Sequence, residues 1–282
     1  MINIVAGNNN LPKIILHHSS GATAEVYLHG AQVTSWVTAT GDELLFLSHA
    51  AEFTTKAIRG GIPLCWPQFG GQGSLPAHGF VRTADWEFAS SDSLADGAIT
   101  ATLRLTETPA SLALWPHKFL LKLAVTLRET TLTVAFHATN TGSEEFTSQL
   151  AFHTYFHIED IHRAAVSGLH GTTYQDAMHD MTPTPEQNES IRFTEETDRI
   201  YLNTPSTLQV IDKVSKRTIS IEKTNLPDAV VWNPWSAKAQ RMPDFGDTEY
   251  QQMLCVETAR ISEPLTLAPG TQWTAETVFR CE

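Results

Sequence analysis

Cysteine is scarce in this chain. Three cysteines, Cys65, Cys255 and Cys281, stand far apart in 282 residues. That is too few for a disulfide framework and gives no C-x-x-C metal pair. An odd count suits a reducing compartment. Long apolar runs are missing, so no stretch reaches the roughly 18 residues of a membrane span. The N-terminus MINIVAGNNNLPKIIL has no basic start leading into an apolar core, so a secretion signal is not expected. The location this implies is cytoplasmic. Basic residues are also in short supply. Nineteen Lys and Arg against 31 Asp and Glu leave a formal charge of -12. A polyanionic partner rewards a basic surface, so neither nucleic acid nor an anionic membrane is expected to bind. By the same bulk measure an anionic small molecule is disfavoured too. Missing as well are the P-loop, G-x-G-x-x-G, G-x-S-x-G and H-E-x-x-H patterns, and with them the chemistries they mark.

What is present is a soluble globular composition, 41% hydrophobic and 18% charged. The dominant pattern is alternation with period two. In FLLKLAVTLRE, Phe119, Leu121, Leu123, Val125 and Leu127 share a face, with Lys122, Thr126 and Arg128 opposite. TLTVAFHAT repeats this with Leu132, Val134, Phe136 and Ala138, after a gap short enough for a hairpin turn. AITATLRLTE, EVYLHG, TLQVIDKVSKRTISIE and QWTAETVFRC behave alike. The best helical signal is TPASLALWP, with Thr108 as cap and Pro109 at the first helical position. No linker, repeat or low-complexity tract divides the chain. The expectation is one large all-β domain over residues 1–282, an antiparallel β-sandwich with few short helical turns.

Three segments break this regularity. Residues 58–82, IRGGIPLCWPQFGGQGSLPAHGFVR, are rich in glycine and proline and carry Arg59, His78 and Arg82. A long surface loop with ordinary salt bridges accounts for the segment as well as a ligand loop does. Gly60-Gly61 would let backbone approach a ligand closely. In LAFHTYFHI, a strand places His153, Tyr155 and His157 on one face, which suits the floor of a polar pocket. On spacing alone, two hydrogen-bonded structural histidines are the better fit for either residue. A metal pair does not fit, because His153 and His157 would stand about 13 Å apart on a strand. In MLCVETARI, Glu257 is a carboxylate among apolar strand residues, which makes it either paired or functional. TDRIY adds Asp198, and VVWNPW adds Trp232 beside Asn233-Pro234. Tryptophan faces stack on sugar rings or, more often, pack in the core.

Taken in order, RGGIPLCWPQFG, LPAHGFVR, FHTYF, TDRIY, VVWNPW and YQQMLCVE resemble the hexose-6-phosphate mutarotases, also called glucose-6-phosphate 1-epimerases, of the aldose-1-epimerase superfamily. The resemblance runs from about residue 20 to near the C-terminus. It implies a galactose-mutarotase-type β-sandwich, an isomerase that interconverts the anomers of a hexose 6-phosphate, and no metal or organic cofactor. It also implies His153 and Glu257 as the catalytic pair, with His78 and Asp198 binding the sugar. Arg59 and Arg82 would hold the phosphate. One departure stands out: the family often follows its glutamate with Pro-Gly, and here Thr258-Ala259 follows. The alternatives left standing are a mutarotase for an unphosphorylated aldose and a non-catalytic sugar-phosphate binding protein. Oligomeric state leaves no trace in the sequence. The charge argument narrows accordingly, since one phosphate met by two local arginines is insensitive to a screened, distant acidic surface.

Overall fold

The structure, a computed structural model, describes residues 1–71 and 73–282. Among these residues the strands form three antiparallel sheets of four, eight and nine strands. The alternating segments build the nine-stranded sheet. Phe119–Leu127 and Thr131–Asn140 form a hairpin in which Leu123 faces Phe136 and Val125 faces Val134. Gln272–Cys281 lies on the far side of Thr131–Asn140 and continues the sheet to Arg217–Thr224. The predicted cap also forms. Thr108 and Ser111 bond reciprocally at the start of the helix Pro109–Leu114.

The eight-stranded sheet packs its inner face on the nine-stranded one. Leu254, Val256, Ala229, Val231 and Tyr201 from the first share one buried core with Leu121, Leu123, Phe136, Val210 and Phe279 from the second. The four-stranded sheet adds Ile14, Leu16, Val26 and Trp36 to the same core. Phe279 is a meeting point, 5.6 Å edge-to-face from Phe156 and 6.5 Å from Trp36. Each such fully buried side chain contributes about 1.5–3 kcal/mol.

Period two decides what the other face of the eight-stranded sheet carries. With Leu254 and Val256 turned inward, Met253, Cys255 and Glu257 must turn outward. Register then aligns neighbours. Val230 lies opposite Glu257 and Trp232 opposite Cys255, while Asp198 lies opposite Trp232 and Ile200 opposite Val230. Tyr155 pairs with Cys255 from the other side. A slip of one residue would turn this whole set inward. Asp228, fully buried, guards against it. Its carboxylate accepts from the Ile261 and Ser262 N–H groups, both at 2.8 Å, and so fixes Asp228–Asn233 against Met253–Leu267. The Thr258-Ala259 departure produces no turn here, because the strand runs unbroken from Met253 to Leu267.

Candidate active site

Five of the six predicted site residues meet at one cavity of about 410 Å3 on that outward face. His153, Glu257, Asp198, His78 and Arg59 line it, with Trp232, Lys238, Ile200, Val230, Phe69, Met181 and Met242 around them. The size is in the ordinary range of about 300–1,000 Å3 for small-molecule sites. Arg82 is the exception and is not among the lining residues. Its guanidinium donates to the Ala77 carbonyl at 2.8 Å, yet its charge acts on His78, His153 and Glu257.

His153 arrives through a break in the strand. Phe146–Phe152 ends one residue before it, and Tyr155–His157 resumes after Thr154. The break leaves the His153 ring parallel to Tyr155, with centroids 4.8 Å apart. His157, expected on the same face, does not line the cavity. Its backbone N–H bonds to the Leu44 carbonyl and its own carbonyl accepts from Arg217.

His153 Nδ1 stands 3.3 Å from Glu257 Oε1. The angles do not make a hydrogen bond, and among the described residues neither His153 Nδ1 nor Glu257 Oε2 has a partner. Both side chains are almost fully buried. Unpaired polar atoms at such depth cost about 1–3 kcal/mol each, so their presence on a cavity wall points to a ligand. Burial pushes the Glu257 carboxyl well above its usual range, and nearby Asp198 adds to this while Arg82 opposes it. Burial likewise pushes the His153 imidazole well down, with His78, Arg82 and Arg59 adding to the effect. Both shifts favour the uncharged forms.

His78 sits opposite, its ring 5.5 Å from that of His153. Its backbone is in the left-handed region at φ 66, strain of the kind that gathers at functional sites. Burial, then Arg82 and Arg59, push its pKa down to about 3. It is therefore neutral. Cys65 Sγ lies 3.2 Å from His78 Nδ1, and the Gly70 N–H points at the same nitrogen at 3.4 Å. Donors on Nδ1 leave the proton on Nε2.

Arg59 is held in place rather than loose. Its Nε and Nη2 meet Asp244 Oδ2 at 3.2 and 3.1 Å, and Nη1 donates to the Tyr155 hydroxyl at 3.0 Å. Gly60 and Gly61 behave differently from expectation. They do not line the cavity; a Cβ on either would overlap a neighbouring backbone, at Phe46 and Leu47 or at Val33 and Thr34. Their freedom serves chain crossing behind Arg59, with φ of 120 and 62. Nothing in the sequence marks Asp244, Lys238 and Met242 as site residues. They come from the helix Trp235–Ala239 and the loop after it, where no periodicity marks a face. Asn233 was the available signal. Its amide donates to the Tyr250 and Met253 carbonyls, and its oxygen accepts from Trp235 N–H, so it folds that segment back over the sheet. Among the described residues no cluster of three or more His, Cys, Asp and Glu is placed to hold a metal ion, and no helix is long and apolar enough to cross a membrane.

Residues 12–280 match the aldose 1-epimerase family. A protein from Cenchrus ciliaris named "Putative glucose-6-phosphate 1-epimerase" is 44% identical over 278 residues, covering 96% of this chain and 84% of that protein. A protein of the same name from Escherichia coli K12 is 35% identical over 259 residues, covering 90% of this chain and 85% of that one. The crystal structure of a "putative mutarotase" from Salmonella typhimurium superposes with a TM-score of 0.89 at 28% identity, covering 99% of this chain and 96% of that one. A galactose 1-epimerase from Lactobacillus acidophilus shares the fold, with a TM-score of 0.76 at 14% identity, over 100% of this chain and 98% of that one. The chain belongs to the aldose 1-epimerase family, and its fold is the galactose-mutarotase β-sandwich. It is an isomerase, an epimerase of aldose sugars.

Proposed function

We propose that residues 1–282 act as one mutarotase domain that interconverts the α and β anomers of hexose 6-phosphates. The observation that carries this reading is the facing pair of His153 and Glu257, buried on the cavity wall with unpartnered polar atoms. The Cenchrus and Escherichia relatives, by name, act on glucose 6-phosphate.

The reaction opens a hemiacetal ring and closes it on the other face of C1. Glu257 takes the proton of the C1 hydroxyl. His153, as imidazolium, gives its proton to the ring oxygen while the C1–O5 bond breaks. Rotation about C1–C2 presents the other face of the aldehyde. The two transfers then reverse. The pair holds one proton throughout, and its charges are what change: a carboxylate and an imidazolium become a carboxyl and an imidazole. Burial disfavours the first state and favours the second. The same desolvation that makes Glu257 a stronger base makes His153 a stronger acid, and both pull toward ring opening. Each transfer is worth about 10²–10⁴-fold. His78, neutral with its proton on Nε2, donates to a sugar oxygen, and Asp198 accepts from sugar hydroxyls.

The arginines supply the far anchor. Arg59 sits in the cavity with its fork held by Asp244 and Tyr155. Arg82, with its charge already felt at the pair, swings from the Ala77 carbonyl to join it on the phosphate. Guanidinium groups pair bidentately with phosphate oxygens and stay charged at any working pH. Binding energy from the phosphate then places C1 between acid and base. Anomer-exchange NMR with glucose 6-phosphate and glucose is the test. Faster exchange of the phosphorylated sugar supports the reading. Equal acceleration of both would refute the phosphate assignment, and no acceleration of either would refute the catalytic one.

A further inference from the structure

Besides Arg59, a second cation lines the cavity. Lys238 projects from the helix Trp235–Ala239. Its Nζ stands 3.1 Å from Glu196 Oε1, 3.7 Å from Asp198 Oδ2, and 5.6 Å from the centroid of the Trp232 ring. An ammonium has three donors and accepts nothing, so it can serve two carboxylates and a ring face at once.

Lys238 matters because of what surrounds Asp198. Glu196 stands two residues before it on the same chain segment. Asp176 lies on the neighbouring strand, with Arg199 bonded to it at 2.9 Å. Glu257 lies across the sheet on Met253–Leu267. Lys238 comes from the helix above. Among the described residues it is the cation in ion-pair contact with Asp198, while Glu196, Asp176 and Glu257 are acids and Arg199 is spent on Asp176. Burial and the charges of Glu196 and Asp176 raise the Asp198 carboxyl, while Lys238 opposes them. The state of this carboxyl decides what it can bind. A carboxylate accepts from two hydroxyls; once protonated it keeps a donor and loses the charge that makes those bonds roughly twice as strong.

We propose that Lys238 is a positioning residue for sugar recognition: gripped between Glu196 and the Trp232 face, it keeps the Asp198 carboxylate charged and aimed into the cavity, where it accepts hydrogen bonds from sugar hydroxyls. The second half rests on the sugar-binding role proposed above for Asp198. The first half does not.

The test uses the full chain with Lys238→Met and Lys238→Arg. One readout is the carboxyl 13C titration of Asp198 without ligand. The other is KM and kcat for glucose 6-phosphate anomer exchange across pH. In Lys238→Met the Asp198 titration is expected to move up by about one pH unit, the low end for losing a close opposite charge. The acid-side rise in KM moves with it, and KM changes more than kcat. Lys238→Arg restores both. An unmoved Asp198 titration in Lys238→Met overturns the proposal. So does a KM increase that is the same at every pH and is not rescued by arginine, since a merely structural lysine would behave that way. Should the wild type fail to exchange anomers, the sugar reading falls, while the carboxyl titration still decides whether Lys238 controls Asp198.

Discussion

Glu257→Gln separates catalysis from stability at a single atom. Gln keeps the shape of the side chain and removes its charge and basicity. Among the described residues Glu257 Oε2 has no hydrogen-bond partner, and the 3.3 Å approach of Oε1 to His153 lacks bonding geometry. The substitution therefore breaks no bond that holds the fold. It also relieves a cost. The folded-state pKa is raised by burial, so the folded protein retains a proton at pH values where the unfolded chain has lost it. Stability from this group is present below the unfolded value near 4.5 and is lost as pH rises through the folded value. Each unit of upward shift costs about 1.4 kcal/mol at a pH above both values. Gln carries no such cost, so Tm at pH 8 is expected to hold or rise, by about 2–4 °C per kcal/mol in domains of a couple of hundred residues. Catalysis should move the other way. Loss of the base removes about 10²–10⁴ from kcat, or about 3–5 kcal/mol of barrier. KM is expected to stay near the wild-type value, because Arg59, His78 and Asp198 are untouched. Anomer-exchange NMR under saturating glucose 6-phosphate and a thermal melt on the same samples provide both numbers. Wild-type turnover would refute the base assignment. A clear drop in Tm would show instead that the carboxylate holds the fold.

Other perturbations follow from the same geometry. Arg59→Met removes the cation anchored by Asp244 and Tyr155; charge-assisted bonds to a phosphate are worth about 1.5–3 kcal/mol, so kcat/KM for glucose 6-phosphate should fall about tenfold or more, with little change for glucose. A parallel loss on both sugars would show that Arg59 supports the wall and not the phosphate. The pH profile of kcat should be a bell whose limbs belong to the pair. Burial places the acid limb below the ordinary histidine value of 6.5 and the alkaline limb above the ordinary glutamate value of 4.5; an acid limb at or above 6.5 would contradict a buried, depressed His153. Gly61→Ala adds a Cβ that overlaps the Val33 carbonyl at φ 62. That should cost more than the roughly 1 kcal/mol of a simple left-handed penalty, lower Tm, and weaken binding through displaced Arg59; a melt unchanged from wild type would remove the chain-crossing role.

Much of this molecule is readable in its sequence because strands write their burial every second residue. Phe119–Leu127 and Met253–Leu267 each declare two faces, and register with neighbours follows once one face is committed to the core. That is why Glu257 stands out as a carboxylate in an apolar strand, whereas Asp198 is marked only by the family resemblance of TDRIY. His157 misled for the same reason. Strict alternation carried it onto the face of His153, but the strand breaks at His153-Thr154, and a break leaves no periodic mark. Gly60 and Gly61 announced an unusual backbone without saying what it approached, which proved to be protein and not cavity. Lys238 and Asp244 were invisible, since a five-residue helix and its following loop have no period to read. Arg82 shows a further limit. Motif order fixes its neighbours along the chain, and its guanidinium still has a choice between the Ala77 carbonyl and an anion.

The arrangement of rigid and irregular parts has a chemical consequence. Glu257, Asp198 and Trp232 stand on central strands of the sheet, paired on both sides, so their spacing is set by backbone hydrogen bonds. His153, His78 and Arg59 enter from irregular segments that cross over that platform. In the proposed mechanism the base must be held to within about 0.5 Å, and a paired strand provides that. The histidine, in the same proposed mechanism, gives its proton to the ring oxygen and takes it back from the C5 hydroxyl once the sugar has turned about C1–C2. A histidine at a strand break, stacked on Tyr155 but without a partner for Nδ1, is held in its plane and left free to exchange its proton. On the proposed reading the anchors tolerate more motion, because guanidinium forks grip a phosphate through several donors. A net charge of -12 would not interfere with such a grip. At 0.15 M salt the acidic exterior is screened beyond about 8 Å, while Arg59 would meet a bound phosphate at contact distance inside the cavity. A salt titration divides the two effects: KM for the phosphorylated sugar that rises with salt marks direct pairing with the arginines, and a KM that falls would mean that repulsion from the acidic surface dominates.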